Sequence, residues 1–214
     1  MIKTLIFDYD GTLHNTAKLY GKAFRKAYDW LVAEGKAKPR IYTDEETSIY
    51  LGMSAPAMWE AFMPRLEEYY KKTASAMIGQ EMDLLVAEGE AVLYDGCQEV
   101  LQTLKGKGYQ LVILSNCRHA YMEAHKRVFE LEQYFDGFYA AEDFGFAPKE
   151  EIFETIQKHY PGEYVVIGDR ASDLAVAVKH HLHSVACDYG FGEPEELVAA
   201  EQHIKDIKEL LTIL

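Results

Sequence analysis

The sequence predicts an α/β protein, a parallel sheet covered on both faces by helices, with a helical insertion placed directly after the first strand. Two observations carry this. Short, continuously apolar runs alternate with amphipathic stretches over most of the 214 residues, as expected for strands buried on both faces and joined by crossover helices. One segment, from about residue 16 to residue 90, breaks the alternation and holds no strand-like run.

The first strand is KTLIFDYD, apolar and then abruptly carboxylate at Asp8 and Asp10. Ala17, Tyr20, Phe24, Ala27 and Leu31 then step by three or four residues, the spacing of a helix packed on one face. After Pro39, TDEETSIYLGM and the long run from PAMWEAF to LLVAEG read as further helix. There Met53, Met58, Trp59, Phe62 and Met63 are expected to pack a core. The alternation then resumes. CQEVLQTLKGKG is a helix stopped by Gly106 and Gly108, and QLVILSN is a strand. RHAYMEAHKRVFE and KEEIFETIQKHY are helices, YVVIGDR is a strand, ASDLAVAVKHH is a helix and SVACDYG a weaker strand. The expected organisation is one domain over 1–15 and 91–214, interrupted by a helical domain over 16–90.

Composition narrows the function classes. The net charge is −13, from 22 basic and 35 acidic side chains. A surface that acidic repels phosphate backbones, so no nucleic-acid partner is expected. Residues 16–90 hold ten basic against twelve acidic side chains, so most of the acid lies in the α/β part. No apolar run approaches the ~18 residues of a membrane span, and no membrane association is expected. The three cysteines, Cys97, Cys117 and Cys187, are widely spaced with no C-x-x-C pair. They suit a reducing cytoplasm better than a disulfide framework or a zinc site.

In open parallel sheets, ligands bind beyond the carboxyl ends of the strands, and here those ends deliver chemistry. The first strand brings Asp8 and Asp10, then Gly11 and Thr12. The second brings Ser115 and Asn116. YVVIG brings Asp169, with Asp173 one helical turn on, and Lys149 opens a helix after Pro148. Carboxylates packed together repel one another and require a cation. Oxygen-only ligation favours Mg²⁺, which retains waters and accepts a phosphate oxygen. An Asp carboxylate is a competent nucleophile toward phosphorus, giving an aspartyl-phosphate. Thr12, Ser115, Asn116, Lys149 and backbone amides after Asp8 would then hold the phosphate oxygens.

DYDGTL, LVILSN, FAPKEEIF and GDRASD, in this order, resemble the four motifs of the haloacid dehalogenase superfamily, and the resemblance spans the whole chain. The insertion after the first strand is similar to the helical cap of its phosphoglycolate phosphatase and β-phosphoglucomutase branch. The resemblance implies a Rossmann-like three-layer core and a mobile cap. It implies Asp8 as nucleophile and Asp10 as the general acid that later becomes the base. It also implies Mg²⁺ held by Asp8, the backbone carbonyl of Asp10, Asp169 and Asp173, with Ser115 and Lys149 binding the phosphoryl group. The substrate would be a small phosphorylated metabolite. A carboxylate at position 10 argues against dehalogenation.

The departures are informative. The usual DFDGTLVDS stands here as DYDGTLHNT, and Pro148 precedes Lys149 where the family commonly has a Lys-Pro pair. Mutases of this branch carry a His where this chain has Tyr20, and an Arg after G-x-S where GMSA gives Ala55. Hydrolysis is therefore expected ahead of the alternative, phosphoryl transfer to a sugar hydroxyl; a non-catalytic phosphometabolite-binding scaffold comes third. His180, His181 and His183 are expected at a helix end for its dipole, Cys117 as a packed thiol, Arg170 as a tether of the rim, and GEPEEL as a solvated face.

Overall fold

A computed structural model describes residues 2–53 and 55–214; Ser54 of the GMSA segment lies outside the described residues. The chain divides into two compact units, 1–15 with 92–214 and 16–91.

The first unit is a six-stranded parallel sheet: β1 (Ile2–Phe7), β2 (Gln110–Ser115), β3 (Gly137–Ala140), β4 (Glu163–Gly168), β5 (His183–Cys187) and β6 (Gln202–Ile204), in the order β3-β2-β1-β4-β5-β6. The helices between the strands are α5 (Cys97–Gly106), α6 (His119–Phe129), α7 (Lys149–His159) and α8 (Ala171–His180), with the short α9 (Pro194–Leu197) and α10 (Leu210–Ile213) near the end of the chain. This is the Rossmann-like α/β fold that the sequence predicts. Strand side chains alternate between two buried faces. Ile6, Val112, Leu114 and Val166 pack with Ile152, Phe153 and Ile156 of α7 and Val176 and Ala177 of α8. On the opposite side, the Phe7 ring meets Phe135 edge-on at 5.9 Å. Gly108, at φ +90°, ends α5 in the left-handed conformation that glycine adopts most cheaply.

The sequence reading holds four of these strands and misses β3 and β6. Both are edge strands of four and three residues. Neither offers a continuous apolar run, because an edge strand is half exposed and is held by backbone pairing to β2 and β5.

Chain order reverses at β1, which pairs with β2 on one side and β4 on the other. The crevice beyond the carboxyl ends of β1 and β4 is therefore the topological switch point of the sheet, where ligands of open α/β proteins bind.

The second unit is helical: α1 (Ala17–Ala33), α2 (Asp44–Ser48), α3 (Ala55–Phe62) and α4 (Glu68–Ala87). The long helical run of the sequence is cut into α3 and α4 by Pro64, which disfavours helix in the residue before it. Thr43 and Glu46 cap α2 reciprocally. Phe24 of α1 is the hub of an aromatic core whose rings, Tyr20, Tyr28, Tyr42, Tyr50 and Phe62, lie 5.0–6.4 Å from its own. Trp59 donates its Nε1–H to Ser75 Oγ at 2.7 Å, tying α3 to α4. Met58 and Trp59 are buried as expected, whereas Met53 is exposed, because it sits in the turn ahead of α3 and not on a packed helix face. Among the described residues no helix is long and apolar enough to cross a membrane.

Phe153 is fully buried beneath the sheet. Phe153→Ala should lower unfolding stability by about 3–5 kcal/mol in chemical denaturation; a loss under 1 kcal/mol would contradict the packing described.

Candidate active site

Of the eight candidate residues, four meet at the switch point. Asp8 continues β1 by one residue, its N–H donating to Ile167 O of β4 at 2.9 Å. Asp169 follows the end of β4, and Asp173 lies in the first turn of α8. Ligand oxygens of these three carboxylates all fall within 4.8 Å of one another. Lys149, at the first position of α7, reaches in from the side, its Nζ 2.6 Å from Asp8 Oδ1 and 2.6 Å from Asp173 Oδ1. All four are buried, from 0% exposed at Asp169 to 8% at Asp8.

Each carboxylate is held by backbone or hydroxyl donors as well. Asp173 Oδ2 accepts the Arg170 N–H at 2.9 Å, closing the N-terminus of α8. Asp169 accepts from Thr12 Oγ1 at 3.0 Å on one oxygen and from the Phe191 N–H at 2.7 Å on the other. The Thr12 hydroxyl, expected to face a phosphate, thus bonds a carboxylate from a fully buried position.

Around Asp169 the chain is built of glycine for reasons of space. A Cβ on Gly11, Gly190 or Gly192 would collide with Asp169 or its backbone, and Gly11 also requires φ +88°. The Gly190-Phe191-Gly192 loop after β5 and Tyr189, whose hydroxyl bonds Thr12 O at 2.8 Å, are the parts of the site that sequence reasoning missed. The G-x-G spacing just past a strand was the signal available for them.

Of the remaining candidates, Thr12 joins the cluster through its bond to Asp169. Ser115 is buried at the end of β2, and Asn116 is exposed just beyond it. The thiol of Cys117 is pushed up to about 12, chiefly by burial, which suits a packed and unreactive group. Asp10 is partly exposed. Its Oδ1 accepts the Tyr121 hydroxyl at 2.8 Å and lies 3.0 Å from His14 Nδ1. Behind them His125 Nδ1 is 2.7 Å from the Tyr9 hydroxyl. Its pKa is lowered to about 3, first by burial and then by His14.

Two surface expectations resolve clearly. Arg170 forms a two-pronged pair with Glu196, at 2.9 and 3.1 Å. One glutamate of GEPEEL is therefore part of the rim, because its α9 packs beside α8, and not a solvated face. In the histidine tract, His180 Nε2 lies 2.7 Å from Glu150 O, His181 ends α8 at φ 56°, and His183 pairs with Glu201 at 2.7 Å.

The electrostatics of the cluster set its chemistry. Burial, then repulsion from Asp173, hold the Asp8 carboxyl well above the usual range despite Lys149. The same two causes push Asp169 up to about 7. Burial opposes the charge on Lys149, but Asp173 and Asp8 outweigh it and raise its pKa. Ionised, three carboxylates and one ammonium leave two negative charges uncompensated in a nearly dry site, the deficit that a single divalent cation neutralises. The donor set is all oxygen, as hard cations require. The residues present fit such an ion.

The sequence is matched over residues 2–181 by a family model described as haloacid dehalogenase-like hydrolase. Pyrophosphatase PpaX of Anoxybacillus flavithermus is 29% identical over 185 residues, covering 84% of this chain and 80% of that protein. Among solved structures, a haloacid dehalogenase-like family protein from Streptococcus pneumoniae superposes with a TM-score of 0.79 at 22% identity, covering 99% of this chain and 98% of that one. CbbY from Rhodobacter sphaeroides in complex with phosphate superposes with a TM-score of 0.75 at 20% identity, covering 98% and 96%.

The raised Asp169 carboxyl makes a pH prediction. A group whose folded pKa lies above its unfolded value favours the folded state below about pH 4 and loses that contribution as pH rises through about 7. Without divalent cations, Asp169→Asn should therefore gain stability relative to the unsubstituted chain between pH 4 and 8, read from thermal melts. Melts that run parallel across that range would contradict the carboxyl's environment.

Proposed function

Since the chain belongs to the haloacid dehalogenase-like hydrolase family, we propose that it is a divalent-cation-dependent phosphatase that hydrolyses a small phosphate monoester through an aspartyl-phosphate. The observation that carries this is the buried Asp8–Asp169–Asp173 cluster with Lys149 bonded to two of its members. The similarity to pyrophosphatase PpaX supports a small phosphorylated substrate and puts pyrophosphate among the compounds to test.

Asp8, Asp169 and Asp173, with the backbone carbonyl of Asp10, would hold Mg²⁺, which supplies charge compensation so that a carboxylate and a phosphate dianion can approach. Asp8 attacks phosphorus, forming a carboxylate–phosphorus bond as the ester oxygen leaves. Lys149, fixed between Asp8 and Asp173, offsets the charge of the nucleophile and of the incoming phosphoryl oxygens. Asp10 gives its proton to the departing oxygen. The same carboxylate, now a base, takes a proton from water as that water attacks the aspartyl-phosphate, releasing phosphate and restoring Asp8. Ser115 and Asn116, at the end of β2, take the remaining phosphate oxygens, while Thr12 acts through Asp169, which its buried hydroxyl holds.

Released phosphate should be measured across a panel of sugar phosphates, phosphoglycolate, nucleoside monophosphates and pyrophosphate, with Mg²⁺ and with EDTA. Turnover of one or two compounds with Mg²⁺ only, falling by at least about 10⁴-fold in Asp8→Asn, is expected. An unchanged rate in Asp8→Asn would sink the nucleophile assignment.

A further inference from the structure

We propose that His14 and Tyr121 are positioning residues for Asp10, together fixing which way its carboxyl group faces. The inference rests on the reading of Asp10 as the acid–base group of a phosphatase. Both residues address one oxygen: the Tyr121 hydroxyl lies 2.8 Å and His14 Nδ1 3.0 Å from Asp10 Oδ1, and they lie 3.3 Å from each other. His14 is fully buried and Tyr121 is 5% exposed, so the clamp is anchored in the protein interior while Asp10 stays partly open.

Two elements meet in this clamp. The loop that carries Asp10 folds back on itself, with Gly11 N–H donating to His14 O and His14 N–H to Tyr9 O, each at 2.9 Å. It brings its own histidine beneath its own aspartate. Helix α6 supplies Tyr121 and, one turn later, His125, whose ring is 4.2 Å from that of Tyr121 and 4.5 Å from that of His14. The Tyr9 hydroxyl closes the set on His125. Placing four polar rings where apolar ones would pack is costly unless their hydrogen bonds are made. Here the bonds of Tyr121 and His14 end on one reactive carboxylate, and the Tyr9–His125 bond lies behind them, in touch with them only through the His125 ring.

Fixing that group matters because proton transfer demands hydrogen-bond contact with the ester oxygen and then with water. A side chain free to turn about χ1 and χ2 spends part of its time misaligned, and an ångström of misplacement costs orders of magnitude in rate. The loop after Asp8 cannot by itself hold the carboxyl group, since backbone bonds fix only its Cα.

The test compares phenyl phosphate, whose leaving group needs a proton, with 2,4-dinitrophenyl phosphate, whose leaving group does not. In Tyr121→Phe, which keeps the ring and removes one hydroxyl, kcat/KM on phenyl phosphate should fall about tenfold and on the dinitrophenyl ester less than about threefold. His14→Leu should behave alike, and His14→Asn, whose amide can donate from near the Nδ1 position, should recover most of the loss. Melting temperatures within a few degrees of the unsubstituted chain show that the variants fold. Equal losses on both esters, or no loss, would overturn the proposal as a packing effect. Asp10→Ala separates the two levels: if it shows the leaving-group-dependent loss and Tyr121→Phe does not, only the positioning role fails. If neither these esters nor any compound of the phosphate panel is turned over by the unsubstituted chain with Mg²⁺, the phosphatase reading fails and takes this inference with it.

Discussion

Burying three carboxylates around one ammonium is the constraint that the rest of the first unit accommodates. Two like charges about 4 Å apart repel by about 4 kcal/mol at an effective dielectric near 20, and withdrawal from water adds to that cost. Every neighbouring feature reduces it. Lys149 bonds Asp8 and Asp173, the start of α8 offers its backbone N–H to Asp173, and Thr12 and Phe191 each bond Asp169. The parallel pairing of β1 with β4 delivers Asp8 and Asp169 to the same place. The glycines at 11, 190 and 192 then let other backbone segments close around Asp169 with no side chain in the way. A fold that brought these charges together without those donors would not be stable in that arrangement.

Much of this was legible in the sequence. The central strands declare themselves because a strand covered on both faces must be apolar throughout, and the residues that follow each run mark the carboxyl edge. That pattern alone places Asp8, Asp169, Asp173 and Lys149 on one rim. The edge strands β3 and β6 were not legible, since their stability comes from backbone pairing, which leaves no imprint in side-chain periodicity. Nor was the bonding of Thr12: a hydroxyl in that position reads equally well as a phosphate ligand or as a support for a carboxylate, and only the spatial neighbour decides.

The departures from the family's usual first motif were visible as letters and opaque as chemistry. Tyr9 and His14 look unrelated in DYDGTLHNT. In space both turn to one face of α6, where Tyr121 and His125 stand one helical turn apart. Such a relation links residues more than a hundred positions apart, and no local pattern records it. Over a shorter span, Arg170 reads as a tether of the rim, but its partner Glu196 reads as part of an acidic stretch until α8 and α9 are brought side by side.

The chain leaves the sheet unit at Asn15 and re-enters it at Val92, and these two residues are joined by a backbone hydrogen bond of 2.9 Å, next to a bridge between His14 and Leu93. The 16–91 segment is thus spliced in at what is geometrically a single point, as a long excursion from a hairpin whose base is already closed. Insertions of this kind are modular. The length, composition and helix count of the excursion can drift through recombination or duplication without shifting the register of β1, because the splice point is pinned independently of what it contains.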